Sequence, residues 1–436
     1  MMEVSLLDIL NAREARAQRQ QQLLAAHRAP LLCFTMNIAG PVKLSPLIQW
    51  GFEEGLGLLT QQLPQENILF REVQVLPTGC EAVFAIDLPA GKIKDLCTEL
   101  EENHPLGRLF DMDVIDTDGV KLERKAQRGC IVCGAPGRFC AASRAHSVKQ
   151  LQAVTTQLLE RHFFPFDIAA IAVQSLIDEV RTTPKPGLVD CRNNGSHTDM
   201  DLQLFEASAQ ALRPYFEACV RIGQNTAQLP PEETFPLLRT AGMEAEATML
   251  RVTGGVNTHK GAIYTLGLLC GSIGRLGCTD TDAILAECQA MVGSSVKADL
   301  ATATGKTAGE RLYLQYGIRG IRGEAADGFP SVKKIGLPHF RQALAEGLSH
   351  NDAGVLTLLH LITQVKDTNL YHRGGRDGAL WAANAAQQLL SDYPSNALVA
   401  QLDDAFIARN LSPGGCADLL AVTYFLHSLT DKEDLI

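Results

Sequence analysis

The spacing of the apolar residues changes near residue 165, and this change constrains the fold of the 436-residue chain more than any other feature. Before it, short strand-like runs alternate with helical stretches, and the runs at 67–76 and 80–88 are typical of a strand pair joined by a turn. After it, the long apolar runs recur at helical spacing. We therefore predict an α+β protein of two domains, with an N-terminal α/β domain over residues 1–165 and a larger all-α domain over residues 166–436.

The composition excludes several classes of partner. The net charge of −10 argues against binding to nucleic acid or to an anionic membrane, since both require a basic surface. The first residues are typical of an amphipathic helix with a polar face rather than of a signal peptide, and the apolar runs are too short to span a bilayer. We expect a cytoplasmic protein that contacts neither nucleic acid nor membrane.

Two aspartates on a predicted strand are the first candidates for chemistry. Asp111 and Asp113 stand two residues apart, so both carboxylates project from one face of the strand, while Phe110 and Met112 take the other face. Two neighbouring carboxylates are costly to bury without a cation, and together they can bracket one divalent ion. The sequence therefore predicts a Mg²⁺ site here, and the alternative is exposed placement at a strand edge.

A basic segment follows the aspartate pair. Residues 121–149 contain one acidic residue, Glu123, and the cations of this segment are Lys121, Arg124, Lys125, Arg128, Arg138, Arg144 and Lys149. An aspartate pair beside such a patch is the minimal apparatus for metal-assisted nucleotidyl transfer, in which Mg²⁺ bridges phosphate oxygens and cations neutralise the leaving pyrophosphate. We therefore predict that the first domain is nucleotidyltransferase-like. A solvated surface is the alternative interpretation of the patch.

The basic segment also contains possible zinc ligands, and these are Cys130, Cys133, Cys140 and His146. A second CxxC pair is missing, and most of the twelve cysteines stand alone in apolar runs, as reduced core thiols do. We therefore favour contact with phosphate over zinc in this region. The residues expected to make that contact are Arg108, Arg138, Arg144 and His146.

Four polar elbows interrupt the helical second part. Each contains glycine and at least one basic residue, and their sequences are TPKPGLVDCRNNGSHTDM, TGGVNTHKG, YGIRGIRGEAADGFP and DTNLYHRGG. Four such elbows exceed what helix connections need. Glycine allows backbone N–H groups to approach phosphate, Lys and Arg hold its charge, and Asp or Glu can carry a metal or act as a base. We therefore interpret the elbows as walls of a polyphosphate site.

Two further positions in the second part are weaker candidates. The segment ATATGKTAGE is not a Walker loop, because Leu300 stands where that pattern requires glycine, although Lys306 remains a candidate for phosphate contact. Glu244 lies on a predicted helix face that points towards the next elbow. A solvated helix face is the alternative interpretation of this glutamate.

Several sequence blocks carry a resemblance to known families. The second part contains, in order, TPKPGLVD, GVNTHKGAIYTLG, GIRGEAADGFP, DTNLYHRGG and NLSPGGCADLLA, and it closely resembles the triphosphoribosyl-dephospho-coenzyme A synthases of the citrate lyase system. The first part, with CFTMNIAGPVK, HPLGRLFDMDVID and CIVCG, resembles apo-citrate lyase phosphoribosyl-dephospho-coenzyme A transferases, also called holo-citrate lyase synthases. Unlike the wider nucleotidyltransferase superfamily, it has no Gly-Ser pair shortly before Asp111. Together the two parts resemble the fused, bifunctional form.

For the second part, the resemblance implies that the 2′-hydroxyl of 3′-dephospho-coenzyme A attacks C1′ of the ATP ribose and expels adenine, with all the phosphates retained. Such a transition state is oxocarbenium-like, and it requires a carboxylate near C1′ and a base for the hydroxyl. The candidate carboxylates are Asp190, Glu244 and Asp367. The candidates for binding the phosphates of ATP or of the coenzyme are Lys185, His197, Arg251, His259, Lys260, Lys306, Arg322 and Arg373.

For the first part, the resemblance implies that a serine hydroxyl of the citrate lyase acyl carrier protein, the gamma subunit, attacks the α-phosphate of that product and releases pyrophosphate. Asp111 and Asp113 would hold Mg²⁺ in this reaction. Three alternatives stay open at this point. They are the same chemistry in the service of malonate decarboxylase, hydrolysis of a nucleoside or ADP-ribose with water as the acceptor, and a zinc-stabilised adaptor that binds carrier protein without enzymatic activity.

Overall fold

In the computed structural model, which describes residues 3–124, 126–390 and 395–430, the chain divides into two units, Met1–Phe164 and Pro165–Ile436. The division falls inside one helix, Val148–Arg181, which contains Pro165. Each unit has elements of its own and is described separately below.

The first unit contains a four-stranded sheet. Its strands are β1 (Leu31–Met36), β2 (Ile68–Leu76), β3 (Gly79–Ile86) and β4 (Phe110–Ile115), in the order β2-β3-β1-β4. All the pairings are antiparallel, and β2 and β3 form the hairpin predicted from the two strand-like runs. The unit mixes helices and strands as predicted, and its sheet is antiparallel throughout.

Helices cover both faces of this sheet. They are α1 (Leu6–His27), α2 (Pro46–Gln62), α3 (Ala90–Asn103) and the first part of α5 (Val148–Arg181), and a short helix, α4 (Gly137–Ser143), precedes α5. Phe34 of β1 stacks on Phe52 of α2 with 4.8 Å between ring centroids, in the main core that α2 and α3 close. Cys33, the next residue along β1, belongs to a second cluster against which Leu24 of α1 packs. The two-residue period of β1 thus supplies both cores.

The pairing of β1 with β4 sets the position of the aspartate pair. Asp111 lies opposite Thr35 and Asp113 lies opposite Cys33, while Met112 is buried in the main core. Both aspartates therefore project from the face of β4 that points away from the main core. Because β4 is at the end of the sheet, its outer edge is adjacent to the chain that follows it.

The second unit consists of helices, and no strand occurs among the described residues from 165 onwards. Its helices after α5 are α6 (Leu202–Ala211), α7 (Arg213–Thr226), α8 (Pro231–Val252), α9 (Lys260–Leu276), α10 (Thr281–Ala301), α11 (Ala308–Tyr316), α12 (Gly320–Ala326), α13 (Leu337–Ala345), α14 (His350–Gln364), α15 (Thr368–Leu390), α16 (Asn396–Ala408) and α17 (Gly414–Thr430), with a π-helical turn at Val332–Gly336 before α13. This agrees with the helical spacing of its apolar residues.

Helix α9 is buried along most of its length and contacts both α7 and α17. Glycines bring α7 and α9 together backbone to backbone, since a Cβ at Gly223 would lie 2.1 Å from the carbonyl oxygen of Gly271. At the start of α9, a Cβ at Gly261 would lie 1.9 Å from Oδ2 of Asp418 in α17. The glycines therefore allow the first turn of α9 to contact an acidic side chain of α17.

Within the described part of the chain, none of the helices by itself combines the length and the apolar content needed to cross a membrane. The helices α9 and α10, which are bent by 109° relative to each other, have the required length and apolar content only when they are taken together.

Candidate functional site

The first unit contains a cavity of about 1050 Å³ beside β4. Its walls come from β4, the chain that follows it, α4 and the start of α5. The residues predicted from the sequence to act in this unit all line it, and they are Arg108, Asp111, Asp113, Arg138, Arg144 and His146. The structure therefore brings the aspartate pair and the basic segment to one place. Lys125 of that segment lies outside the described residues.

The two aspartates differ in their partners. Asp113 forms an ion pair with Lys121. Asp111 is exposed to the cavity, and no hydrogen bond or ion pair to its carboxylate occurs among residues 3–124, 126–390 and 395–430. Partial desolvation and then the charge of Asp113 raise the pKa of Asp111 above its ordinary value. A cation bound between the two carboxylates would relieve this repulsion.

Two arginines of the basic segment, Arg124 and Arg128, make structural contacts within the protein. The buried carboxylate of Glu101 in α3 accepts a hydrogen bond from the backbone N–H of Met112 (Oε1 to N, 2.8 Å) and pairs with Arg124 and Arg128. Arg128 also donates to the carbonyl oxygen of Phe110, with 2.7 Å from Nη1 to the oxygen. These arginines therefore fix β4 in place, and the sequence did not reveal Glu101 as their partner.

Three arginines of the cavity remain available for an anionic ligand. Arg108 donates through Nη2 to the carbonyl oxygen of Gly129, while its Nη1 is buried and has no hydrogen-bond partner in the described structure. The side chains of Arg138 and Arg144 are exposed, and neither makes a hydrogen bond to any residue that the structure describes. Burial, followed by the charge of Arg124, lowers the pKa of Arg108 from its usual value, as expected of a cation that lacks a counter-ion.

His146 lies with the cysteines of the basic segment. Its Nε2 is 3.3 Å from Sγ of Cys133, which is 3.5 Å from Sγ of Cys140. Backbone N–H groups, those of Cys133 first, lower the pKa of Cys130 to about 7, whereas the neighbouring Cys133 thiol raises the pKa of Cys140 to about 11. The four ligand atoms of this group, Cys130, Cys133, Cys140 and His146, lie within 4.8 Å of one another.

The second unit contains a smaller cavity of about 200 Å³ between the end of α5, the loop that follows it, and the starts of α9, α15 and α17. The predicted site residues that line it are Lys185, His197, His259, Lys260 and Arg373. Two acidic residues that were not predicted, Glu179 and Asp418, line it as well.

A buried ion pair lies at this cavity. Nζ of Lys185 is 2.5 Å from Oε1 of Glu179 and also donates to the carbonyl oxygen of Glu179 at 2.6 Å. The lysine side chain is only 1% exposed. Burial raises the pKa of Glu179, and the ammonium of Lys185 opposes this shift.

Asp418 has no such cation. No described residue forms an ion pair with its carboxylate, which packs against Gly261. Removal from water, followed by the charges of Glu179 and Asp367, raises the pKa of Asp418 well above its usual range. The cavity therefore holds two carboxyl groups in different environments, one paired with a cation and one without.

His259 is buried at the start of α9 and presents one ring nitrogen without a partner. The hydroxyl of Thr258 donates to Oγ of Ser208 (2.8 Å), which lies 2.9 Å from Nδ1 of His259. In the tautomer in which Ser208 donates to Nδ1, the imidazole carries its proton on Nε2, which is buried and has no partner in the described part of the chain. Burial, followed by the charge of Lys185, lowers the pKa of His259 to about 3. The ring is therefore a neutral hydrogen-bond donor.

His197 and Arg373 form a linked wall of the cavity. Nε2 of His197 is 3.0 Å from Oγ of Ser412, and its Nδ1 is 3.3 Å from Nη2 of Arg373. Nη1 of Arg373 donates to the carbonyl oxygen of Ser196 and to Oδ1 of Asn410, both at 2.9 Å. Burial and then the guanidinium lower the pKa of His197.

Two predicted catalytic carboxylates bind their own backbone instead. Asp190 is buried and accepts hydrogen bonds from the N–H groups of Lys185 (2.8 Å), Arg192 (2.7 Å) and Asn193 (3.0 Å) and from the Thr183 hydroxyl (2.9 Å). These contacts hold the loop that presents Lys185. The structure places Asp190 behind the cavity and not in its lining.

Asp367 caps the start of α15. Its carboxylate accepts hydrogen bonds from the N–H groups of Asn369 (2.7 Å) and Leu370 (3.0 Å), and from that of Cys416 at the start of α17 (2.8 Å). It lines a separate cavity of about 290 Å³ together with Glu324. The structure therefore does not bring Asp367 into the lining of the cavity that contains Lys185.

The other predicted residues of the second unit also lie outside the 200 Å³ cavity. Glu244 is exposed on α8, and it is Glu246 that pairs with Lys260 at the cavity rim, with 2.8 Å from Nζ to Oε2. The remaining three are exposed cations on α8, on the loop before α11 and on α12, and they are Arg251, Lys306 and Arg322.

Two cavities in two separate units, each with carboxyl groups beside cations, are typical of an enzyme with two active sites for anionic substrates. Comparison with known proteins shows the family to which the chain belongs. Residues 4–162 match the family CitX, apo-citrate lyase phosphoribosyl-dephospho-CoA transferase, and residues 165–435 match the family CitG, ATP:dephospho-CoA triphosphoribosyl transferase.

Relatives with both parts in one chain are also found. "Protein CitXG" of Haemophilus influenzae is 39% identical over 98% of this chain and 96% of its own length, and "Protein CitXG" of Leuconostoc mesenteroides subsp. cremoris is 32% identical over 98% and 97%. The 2-(5''-triphosphoribosyl)-3'-dephosphocoenzyme-A synthase of Pectobacterium atrosepticum is 43% identical over 63% of this chain and 93% of its own length. The chain belongs to the fused CitXG family of bifunctional transferases that make and attach the citrate lyase prosthetic group. The resemblance drawn from the sequence is confirmed.

Proposed function

We propose that the 200 Å³ cavity of the second unit forms the triphosphoribosyl adduct from ATP and 3′-dephospho-coenzyme A, and that the 1050 Å³ cavity of the first unit transfers it to carrier protein. The observation that carries this assignment is the convergence of the aspartate pair and the free arginines on one cavity. Release of pyrophosphate requires cations that neutralise the charge of the phosphates. An acid and a base at a ribose carbon are required only for the loss of adenine.

In the second unit, the two carboxyl groups divide the acid and base roles. Glu179, whose ionised form the ammonium of Lys185 favours, accepts the proton of the attacking 2′-hydroxyl. Asp418, which has no cation partner among the described residues and a raised pKa, is protonated and donates to the leaving adenine. Bond formation at C1′ and cleavage of the C–N bond then pass through an oxocarbenium-like state beside the Glu179 charge.

In this unit, the phosphates bind to the first turn of α9 and to the cavity wall that contains Arg373. The Nε2–H of His259 donates to a phosphate oxygen, and Lys260 and Arg373 balance the charge of the triphosphate. A cavity of about 200 Å³ is smaller than the roughly 300–1,000 Å³ of ordinary ligand sites. The substrates must therefore extend past its rim, and the exposed cations of this unit proposed for their outer parts are Arg251, Lys306 and Arg322.

In the first unit, Mg²⁺ fits the pair Asp111 and Asp113, because both carboxylates face the cavity and repel each other. When bound, the ion supplies charge neutralisation to phosphate oxygens. Arg108, Arg138 and Arg144 bind the pyrophosphate portion, since their guanidinium groups have nitrogens without protein partners in the described chain. A serine hydroxyl of the acyl carrier protein attacks the α-phosphate, and the P–O bond to pyrophosphate breaks.

The decisive experiment is incubation of the full chain with ATP, Mg²⁺ and 3′-dephospho-coenzyme A, followed by mass analysis for adenine and for the triphosphoribosyl adduct. We expect both products, and we expect adenine only when the coenzyme is present. Adenine release without the coenzyme would indicate a nucleoside or ADP-ribose hydrolase instead. Adding the apo carrier proteins of citrate lyase and of malonate decarboxylase in parallel identifies the acceptor, and we expect modification of the citrate lyase protein.

A further inference from the structure

We propose that Cys130, Cys133, Cys140 and His146 form a tetrahedral zinc site that holds the segment carrying Arg138 and Arg144 at the transfer cavity. Three thiols and one imidazole are a common ligand set of structural zinc sites. The proposal goes beyond the two reactions and rests on the positions of the four side chains.

The distances match those that zinc requires. With Zn–S bonds of about 2.3 Å and tetrahedral angles, two ligand sulfurs stand about 3.8 Å apart, and a sulfur and a nitrogen slightly less. The observed separations are 3.5 Å between the sulfurs of Cys133 and Cys140 and 3.3 Å between Nε2 of His146 and Sγ of Cys133. All four ligand atoms lie within 4.8 Å of one another. Small shifts of side chains would complete the tetrahedron.

The backbone around the first two cysteines supports the same geometry. The chain turns back at Cys130, whose N–H donates to the carbonyl oxygen of Ala135 and whose carbonyl oxygen accepts from the N–H of Gly134 (2.9 Å). Gly134 has a φ of +74°, which a side chain would disfavour. The N–H of Val132 points at Sγ of Cys130 at 3.4 Å. Outer hydrogen bonds of this kind orient a thiolate toward its metal.

The chain between β4 and α4 has little regular structure to hold it in place. Between β4 and α4, the described residues form no helix or strand longer than an isolated bridge. Cys130 and Cys133 lie on this irregular chain, Cys140 lies in α4 and His146 follows it. One ion would therefore fix the loop, α4 and the start of α5 together, and with them Arg138 and Arg144. His146 then acts as a zinc ligand and not as a phosphate contact.

Two other interpretations of the cluster make different predictions. A disulfide between Cys133 and Cys140 would need their sulfurs about 2.05 Å apart and would leave Cys130 and His146 without a role. Thiol hydrogen bonds alone would give no metal binding.

The test is metal analysis of the full chain after purification without chelators, and we expect about one zinc per chain. In Cys133→Ser the zinc affinity should fall by more than about 100-fold, because losing an outer-shell partner alone costs about 10- to 100-fold. His146→Cys should keep the zinc, since a fourth thiolate replaces the imidazole. Cys278→Ser, which changes a partly buried cysteine outside the cluster, is the matched control and should retain full zinc content.

Cobalt loading gives a readout that does not depend on activity or on the stability of one variant. Wild-type protein loaded with Co²⁺ in place of zinc should show the visible absorption of tetrahedral cobalt thiolate, and His146→Cys should show a stronger sulfur-to-metal band. Absence of bound zinc together with absence of the cobalt thiolate bands would overturn the proposal. So would a Cys133–Cys140 disulfide in the native protein, detected by mass analysis of its peptides.

Discussion

The acid–base division at the second cavity makes a sharp prediction for Asp418→Asn. Burial raises the pKa of the native carboxyl group well above its usual range, which favours its uncharged form, and the amide that replaces it has nearly the same size. Because an amide takes up no proton on folding, we expect the free energy of unfolding at neutral pH to stay at the wild-type value or to rise. Loss of the proton donor should nevertheless slow adenine release by about 10²–10⁴-fold, the usual contribution of general acid–base catalysis. This corresponds to about 3–5 kcal/mol of transition-state stabilisation.

The assay is the initial rate of adenine formation with ATP and 3′-dephospho-coenzyme A, measured together with a urea unfolding curve. The wild-type rate should decline as pH rises and Asp418 ionises, and Asp418→Asn should lack this decline. Asp282→Asn is the matched control, because that aspartate is exposed on α10 and its side chain is 74% accessible. Adenine release within threefold of wild type in Asp418→Asn would refute the assignment, as would a loss of rate that only follows a loss of stability.

The raised pKa also fixes the sign of a stability effect. Between the ordinary pKa of aspartate, 3.8, and the raised native value, the native state binds more protons at Asp418 than the unfolded state does. The contribution of this group to stability therefore falls as pH rises through that interval. Asp418→Asn removes this term, which a comparison of unfolding free energies at several pH values will show.

Three further predictions concern other parts of the two cavities. Burial holds the pKa of His259 at about 3, so this residue should lower the free energy of unfolding by up to about 1.4 kcal/mol for each unit that pH falls from 6.5 towards 3. In His259→Gln the loss of stability in acid should be smaller. If urea titrations show the same dependence of the unfolding free energy on pH in both proteins, the neutral assignment of His259 is contradicted. Lys185→Met leaves the buried Glu179 without its cation and should destabilise the protein by about 3–5 kcal/mol. Adding Glu179→Gln should recover part of this loss. A loss of less than about 1 kcal/mol in thermal or urea unfolding would exclude a tight buried ion pair. Arg138→Ala should raise the KM of the carrier-transfer step without lowering the melting temperature, whereas Arg124→Ala should lower the melting temperature because it removes one of the two arginines that pair with the buried carboxylate of Glu101. Equal effects of the two substitutions would remove the distinction between ligand-binding and structural arginines.

The site of the first unit was largely accessible to sequence reasoning because its main signals are local. The two-residue period of a strand placed Asp111 and Asp113 on one face, and the basic chain that follows is covalently close to them. The partner of the structural arginines, Glu101, was missed because it lies in a different helix, and an acid on an amphipathic helix is usually solvated. The hairpin of β2 and β3 was predicted because both strands and their turn are contiguous in sequence, whereas the order of the strands in the sheet depends on pairings that composition does not show.

In the second unit, sequence reasoning singled out the acidic residues of the loops, Asp190 and Asp367, but not those that line the cavity, Glu179 and Asp418. Asp190 and Asp367 stand in polar elbows, where a short carboxylate most often binds nearby backbone N–H groups, and both do so. The spacing of Asp367 before Asn369 and Leu370 is that of a helix cap, which accounts for these two hydrogen bonds. Glu179 and Asp418 lie within apolar helical runs, and only tertiary packing shows that they face one cavity.

The central claim, that each unit carries one of the two reactions, is tested most directly by the double variant Asp111→Asn with Asp113→Asn. Removing both charges from the proposed Mg²⁺ site should slow transfer to the acyl carrier protein by at least about 100-fold, the scale on which electrostatic stabilisation of a transition state acts. Adenine release should stay at the wild-type rate, so the triphosphoribosyl adduct should accumulate. Asp118→Asn, in the exposed turn after β4, is the matched control and should behave as wild type. A double variant that loses adenine release while it still modifies the carrier protein would contradict the assignment of the reactions to the two units.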